Sequence, residues 1–104
     1  MVFDLTELEA VRGLVMRQMG ATPAHRWPLL GARLGAEVIV KHENHTPTGA
    51  FKVRGGIVHL ARLKNGAVPC PGVISATRGN HGQSLAFAGR ITGLPVTIVV
   101  PHGN

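Results

Sequence analysis

From Thr46 to Gly56 the chain reads Thr-Pro-Thr-Gly-Ala-Phe-Lys-Val-Arg-Gly-Gly. Lys52 follows a Pro/Gly turn and stands at the start of a run with apolar residues at helical spacing, so a helix is predicted to begin here. A lysine on the first turn of a helix lies at the positive end of the helix dipole, which disfavours its ammonium form. A neutral lysine is a nucleophile that can react with an aldehyde. Gly49, Gly55 and Gly56 are expected to allow close approach of the backbone around this reactive amine.

A second informative stretch runs from Ser75 to Ser84 and reads Ser-Ala-Thr-Arg-Gly-Asn-His-Gly-Gln-Ser. It follows a predicted strand and opens a predicted helix. The backbone N–H groups at the start of a helix have no partners within the helix and can bind an anion, here a carboxylate. Thr77 adds a hydroxyl group, and Gly79 lets the backbone come near a ligand.

The hydrophobic pattern around these stretches predicts alternating helices and strands. The expected elements are a helix over 4–18 capped by Asp4 or Thr6, an extended segment over 22–30, a short helix over 30–34, a strand over 37–41, a turn-rich loop over 44–49, a helix from Phe51 to about Asn65, a strand over 72–76, a helix over 80–91 and a strand over 96–100. The last strand is apolar except for Thr97, a composition typical of buried parallel strands. This order predicts an α/β fold with βαβ units and a parallel sheet flanked by helices.

Composition limits the class of protein. The 104 residues are enough for one small domain with its own core. No apolar run approaches the roughly 20 residues of a membrane helix, and the start of the chain lacks the pattern of a secretory signal. The single cysteine, Cys70, cannot form an internal disulfide. A cytoplasmic location without a membrane partner is therefore expected.

The net charge of +6 is unevenly distributed along the chain. All five acidic residues lie within the first 43 residues, whereas residues 44–104 contain Lys and Arg but no acid. Such a bias can indicate an anionic partner. The cations are scattered, however, and aromatic residues make up 4% of the chain with no tyrosine, so nucleic-acid binding is not expected.

Together the two stretches resemble the serine/threonine dehydratase family of pyridoxal-phosphate (PLP) enzymes. Residues 47–55 resemble that family's Pro-Thr-Gly turn and its Ser/Ala-Phe-Lys-x-Arg-Gly core, residues 41–44 resemble its Lys-x-Glu-Asn lead-in, and residues 77–81 resemble its Ser-Thr/Ala-Gly-Asn-His loop. The resemblance implies that PLP is the cofactor and that Lys52 holds it as a Schiff base. The residues implied to contact the cofactor are Phe51, Lys52 and Asn80, and those implied to bind the substrate carboxylate are Thr77, Gly79, Asn80 and His81.

The resemblance also implies a two-domain architecture like that of the tryptophan synthase β chain, known as fold type II. Residues 1–49 would be the N-terminal segment that normally joins the large domain, and residues 50–104 would be part of the small domain. The family's Gly-rich loop for the PLP phosphate and its late serine or cysteine at the pyridine nitrogen have no counterpart in these 104 residues. The chain is therefore expected to be the N-terminal fragment of such an enzyme.

The implied reaction is that of a threonine/serine ammonia-lyase, which gives a 2-oxo acid and ammonia. The resemblance also implies that the full-length form is a homo-oligomer. Serine racemase and hydroxyaspartate dehydratase share both motifs and stay open, as does a non-catalytic remnant or interaction module. Arg78 departs from the family pattern, where a small residue stands. It either contacts an acidic substrate or points to solvent, and the sequence favours solvent. The histidines have no spacing typical of a metal site.

Overall fold

The computed structural model describes residues 4–104. Its helices are α1 (Leu5–Met16), α2 (Pro28–Leu34), α3 (Lys52–Lys64) and α4 (Asn80–Thr92), and its strands are β1 (Ala24–Arg26), β2 (Ile39–Lys41), β3 (Val73–Ala76) and β4 (Val96–Val99); a short 3-10 helix covers Glu43–His45. The α/β class is confirmed. The predicted starts of the helices that carry Lys52 and Asn80 lie within one residue of those observed.

Local sequence signals explain where these helices begin and end. Of the two candidate caps for α1, the structure selects Asp4, whose carboxylate accepts a hydrogen bond from the backbone N–H of Glu7 at 2.7 Å. Helix α4 ends at Gly93, which adopts the left-handed conformation with φ of 73°. Helix α2 begins at Pro28, whose missing N–H costs nothing at the first helical position.

The strands form two separate two-stranded sheets. Strands β3 and β4 are parallel, with Val73 opposite Val96, and α4 connects them, so β3-α4-β4 is a βαβ unit. Strand β2 pairs with β1 in an antiparallel arrangement instead of joining this sheet. The prediction that all three strands share one parallel sheet was therefore wrong. The Pro-containing extended segment supplies the partner that the sequence pattern had not revealed.

The core consists of two adjoining clusters of apolar side chains. The first joins α1 to α3 and contains Val15, Met19, Val53 and Ile57; the second joins α3 to α4 and contains Leu60, Leu85, Ala88 and Leu94. Strand β4 alternates between half-buried and exposed residues, so the prediction of a strand buried on both faces was wrong for this part of the chain. Among residues 4–104, no helix has the length and apolar character needed to cross a membrane.

Candidate active site

Lys52 is the first residue of α3, and its side chain is exposed. The prediction that Lys52 stands at the start of a helix is confirmed. Its Nζ atom lies 5.2 Å from the centroid of the Phe51 ring, a distance at which a cation is attracted to an aromatic face. Phe51 is itself 59% exposed. The structure thus places the amine and the aromatic ring side by side at the surface.

The turn that precedes Lys52 is fixed by the buried residue Thr46. Its hydroxyl group donates to the carbonyl of Ala50 at 2.8 Å and accepts from the N–H of the same residue at 2.9 Å. Gly49 has φ of 72°, a conformation that glycine adopts at little cost. These bonds close the turn two residues before Lys52, so the start of α3 has a defined position.

A charged cluster ties the same helix start to the preceding segment. The carboxylate of Glu43 accepts two hydrogen bonds from Arg54, at 2.7 and 3.0 Å, and one from the hydroxyl of Thr22 at 2.5 Å. These bonds from Arg54 and Thr22 hold the pKa of Glu43 at about 2, well below its ordinary value of 4.5. The hydrogen bond to Glu43 in turn raises the pKa of Arg54. Both groups are therefore charged at neutral pH.

Helix α4 packs directly against the start of α3. The hydroxyl of Ser84, which is completely buried, donates to the backbone carbonyl of Lys52 at 2.7 Å. One turn further along α4, Ala88 shares a core cluster with Leu60, two turns further along α3. The two helices therefore begin at the same end of the domain, and Asn80 lies one turn before Ser84.

The second predicted site segment lies at this end. Asn80 and His81 are the first residues of α4, and both are exposed. The N–H of Thr77 donates to the carbonyl of Val99 at 3.0 Å, which extends the β3–β4 pairing into the segment. A side-chain Cβ at Gly79 would meet nothing within 4 Å, so the backbone there faces open space.

The side chains of this segment face different cavities. Thr77 and Gly79 line a cavity of about 270 Å³, together with Arg78. His81 lines another, of about 360 Å³, with His59 and Ser75. The predicted carboxylate-binding residues are thus divided between two cavities: only Thr77 and Gly79 line the first, and His81 lines the second.

The three glycines near Lys52 have different roles. A Cβ at Gly56 would overlap the side chain of Ser84 and lie 2.8 Å from its carbonyl oxygen, so close approach is confirmed there. Gly49 is needed for its backbone conformation instead, and a Cβ at Gly55 would meet nothing within 4 Å. No described element packs against Gly49 or Gly55, so close approach at these two positions stays a prediction.

Several residues of this region escaped the sequence-based prediction. The pairing of Glu43 with Arg54 was not predicted, although both residues belong to recognised motif segments. Ser84 was not singled out as a contact of Lys52. The sequence feature that could have revealed Ser84 is a small polar residue on the apolar face of one helix. Such a residue can pack against a glycine on the facing helix.

Three of the six histidines form a separate aromatic group on the β1–β2 side. The ring of His42 lies 5.3 Å from that of His25 and 5.7 Å from that of His45, and the indole N–H of Trp27 donates to Nε2 of His42 at 3.3 Å. Within the described range 4–104, no three His, Cys, Asp or Glu residues are grouped so that they could hold a metal ion.

Comparison with known proteins identifies the family. Residues 15–104 match the family model described as pyridoxal-phosphate dependent enzyme. An L-threo-3-hydroxyaspartate ammonia-lyase from Pseudomonas is 41% identical over 80 residues, which are 77% of this chain and 25% of that protein. The L-serine dehydratase/L-threonine deaminase of Mus musculus is 37% identical over 81 residues, which are 78% of this chain and 24% of that protein.

The structural comparison agrees with this assignment. The solved structure of maize serine racemase superimposes with a TM-score of 0.83 at 27% identity, and the match covers 96% of this chain and 31% of that chain. The chain thus spans about a quarter of the length of the two curated relatives and about a third of the solved structure. The fold, the two motifs and these matches together show that the chain belongs to the family of pyridoxal-phosphate-dependent enzymes.

Proposed function

We propose that this chain carries the lysine and the carboxylate-binding segment of a PLP-dependent ammonia-lyase that acts on threonine and serine. The observation that carries the proposal is the hydrogen bond from Ser84 to the carbonyl of Lys52. It joins the helix that begins with the lysine to the helix that begins with Asn80. The dehydratase from Mus musculus supports the reaction type.

The residues at this end of the domain fit PLP. The primary amine of Lys52 is accessible, as an aldehyde requires, and the exposed ring of Phe51 lies beside it. Asn80 presents an exposed side-chain amide that can donate to a ring oxygen. The buried hydroxyl of Thr48, in the turn before Lys52, has no hydrogen-bond partner within residues 4–104, so it can bond to an incoming group.

The chain's residues would divide the work as follows. Lys52 would hold the cofactor through Nζ, and the same Nζ, when free, would take the proton from the substrate Cα. The N–H groups at the start of α4, with the hydroxyl of Thr77, bind the substrate carboxylate and fix which Cα bond faces Lys52. When bound, PLP supplies an electron sink for the charge that develops at Cα. The substrate then loses its β-hydroxyl group as water, and hydrolysis at its bond between Cα and nitrogen releases the 2-oxo acid and ammonia.

The direct test is to map the lysine that holds PLP. The full-length form is incubated with PLP, reduced with borohydride and digested, and the modified peptide is identified by mass spectrometry. We expect modification at Lys52. Lys41 and Lys64 are exposed lysines that serve as internal controls, and modification at either one in place of Lys52 would contradict the proposal. Formation of 2-oxo acid from L-threonine and L-serine then tests the reaction.

A second candidate reaction is the deamination of 3-hydroxyaspartate, and Arg78 favours it. Every acidic side chain in the described part of the chain is already engaged: Asp4 caps α1, Glu7 pairs with Arg62, Glu9 with Arg12, Glu37 with Arg26, and Glu43 with Arg54. Arg78 forms no ion pair within residues 4–104 and lines the same cavity as Thr77. A substrate with a second carboxylate would supply a partner, as the name of the Pseudomonas relative suggests.

A further inference from the structure

Ser84 is an unusual residue at its position because it is polar and completely buried between two helices. Its hydroxyl donates at 2.7 Å to the backbone carbonyl of Lys52. It is the only side chain in the described part of the chain whose hydrogen bond ends on the backbone of Lys52. The bond crosses from the helix that starts at Asn80 to the helix that starts at Lys52, so it joins the two motifs directly.

Gly56 is matched to this serine. It lies one turn after Lys52 on α3, and a Cβ there would overlap the Ser84 side chain and lie 2.8 Å from the Ser84 carbonyl oxygen. The absence of a side chain at Gly56 therefore lets the two helix backbones approach until the hydroxyl reaches the carbonyl of Lys52. The serine and the glycine together fix the spacing of α3 and α4 immediately behind the lysine.

Packing alone does not explain the hydroxyl group. Alanine would place its Cβ where that of serine lies and would leave only the small volume of the hydroxyl oxygen unfilled. The carbonyl of Lys52 would still accept the hydrogen bond that the helix gives it. Replacing serine with alanine removes the donor together with its bond, so no buried donor is left without a partner and the cost in folding stability is small.

We propose that Ser84 is a positioning residue, which holds the backbone of Lys52 in register with the segment Thr77–His81. This inference rests on the proposed function, because the register matters only if Lys52 holds PLP while the segment binds the substrate. The hydroxyl fixes the Cα of Lys52, and the amine must then reach both the cofactor and the substrate Cα from that fixed point. A shift of the lysine backbone would misplace Nζ relative to both.

The test compares Ser84→Ala with Thr92→Val. Thr92 is a matched control because its hydroxyl also lies on α4 and donates to a helix carbonyl, that of Ala88 at 2.9 Å, but at the far end from Lys52. PLP is titrated into the full-length form of each variant, and the dissociation constant, the position of the absorption band of bound PLP and the unfolding temperature of the PLP-free protein are measured.

We expect Ser84→Ala to weaken PLP binding by about threefold to tenfold, the equivalent of one hydrogen bond, and to shift the absorption band. Thr92→Val should leave both unchanged. Ser84→Cys, whose thiol is a weaker donor in nearly the same place, should give an intermediate dissociation constant. Wild-type affinity and an unchanged band in Ser84→Ala would overturn the inference, and so would equal effects of Ser84→Ala and Thr92→Val.

A second variant covers the case in which Ser84→Ala is compromised in folding. Gly56→Ala should push α3 away from α4 at the level of Lys52 and weaken PLP binding by more than Ser84→Ala does. Wild-type affinity in Gly56→Ala would also overturn the inference. If the wild-type protein itself fails to bind PLP at Lys52, the proposed function is contradicted, and that outcome is distinct from a wild type that binds PLP with variants that bind it equally well.

Discussion

The guanidinium of Arg54 and the carboxylate of Glu43 form a two-point contact that joins the first turn of α3 to the 3-10 helix before it. Glu43 lies before the turn that contains Thr46 and Gly49, and Arg54 lies after it. The contact therefore joins the two ends of the segment that leads into Lys52. Because both carboxylate oxygens of Glu43 accept from the Arg54 guanidinium, the pair fixes the relative orientation of the two groups as well as their separation. Glu43 and Arg54 therefore act on the same helix start that carries the reactive amine.

Replacement of Glu43 should change both stability and its dependence on pH. The pKa of Glu43 in the folded protein is about 2, below its ordinary value of 4.5, so its contribution is fully present above about pH 4.5 and is lost as the pH falls to about 2. Glu43→Gln should lower the free energy of unfolding at neutral pH by about 1–3 kcal/mol and flatten this acid transition. Chemical denaturation at several pH values measures both.

Glu37→Gln is the matched control for that experiment. Glu37 pairs with Arg26 in the same half of the chain, but both side chains are more than half exposed, and such pairs contribute about 0–1 kcal/mol. Equal losses of stability in the two variants would show that the contact between Glu43 and Arg54 has no special role.

Replacement of Lys52 should abolish turnover but leave the free energy of unfolding almost unchanged. Lys52→Arg should prevent retention of PLP after borohydride reduction and abolish turnover, because a guanidinium stays protonated and is not a nucleophile. The side chain is exposed, so the unfolding free energy should change by no more than about 0.5 kcal/mol. Lys64→Arg, in the last turn of the same helix, should retain PLP. Wild-type turnover in Lys52→Arg would refute the assigned role.

Removal of the Thr77 hydroxyl should weaken substrate binding. Thr77→Ala should raise the KM for threonine and serine by about twofold to tenfold, the equivalent of one lost hydrogen bond, while Thr77→Ser should remain close to wild type. Thr97→Ala, which removes an exposed threonine hydroxyl from β4, is the control. A KM for Thr77→Ala that matches those of Thr77→Ser and Thr97→Ala would exclude a direct contact between this hydroxyl and the substrate.

Arg78 should discriminate between acidic and neutral substrates. If it pairs with a second carboxylate, Arg78→Ala should lower kcat/KM for L-threo-3-hydroxyaspartate relative to threonine by about tenfold or more, since hydrogen bonds to charged groups contribute about 1.5–3 kcal/mol. Arg90→Ala removes an exposed arginine within α4 and should leave the ratio unchanged. An unchanged ratio in Arg78→Ala would mean that Arg78 points to solvent, as the sequence favoured.

Local sequence signals were sufficient for the elements that carry the site. The turn before Lys52 predicted where α3 begins, and the stretch from Ser75 to Ser84 predicted where α4 begins; both were confirmed. The PLP cofactor, predicted from the resemblance of these stretches, was confirmed by the family match. The roles of the individual site residues and the domain boundary between residues 49 and 50 stay predictions.

Pairing between distant segments could not be predicted in the same way. Strand β1 has three residues, all exposed, so it has no alternating pattern that would mark it as the partner of β2. The bond between Ser84 and Lys52 joins residues 32 positions apart, and its donor is one buried hydroxyl with no signal in hydrophobic periodicity. Such contacts depend on how helices and strands pack, which a one-dimensional pattern does not contain.

All five acidic side chains are already engaged, and this also affects how fast an anion reaches the end of the domain where α3 and α4 begin. Lys52 and Arg78 form no ion pair within residues 4–104, so their positive potential is not cancelled by a neighbouring carboxylate. Both PLP, through its phosphate, and an amino acid, through its carboxylate, would diffuse toward positive potential. Added salt screens such attraction over roughly 10 Å at 0.1 M. The bimolecular association rate should therefore fall as salt rises, while the dissociation rate changes little.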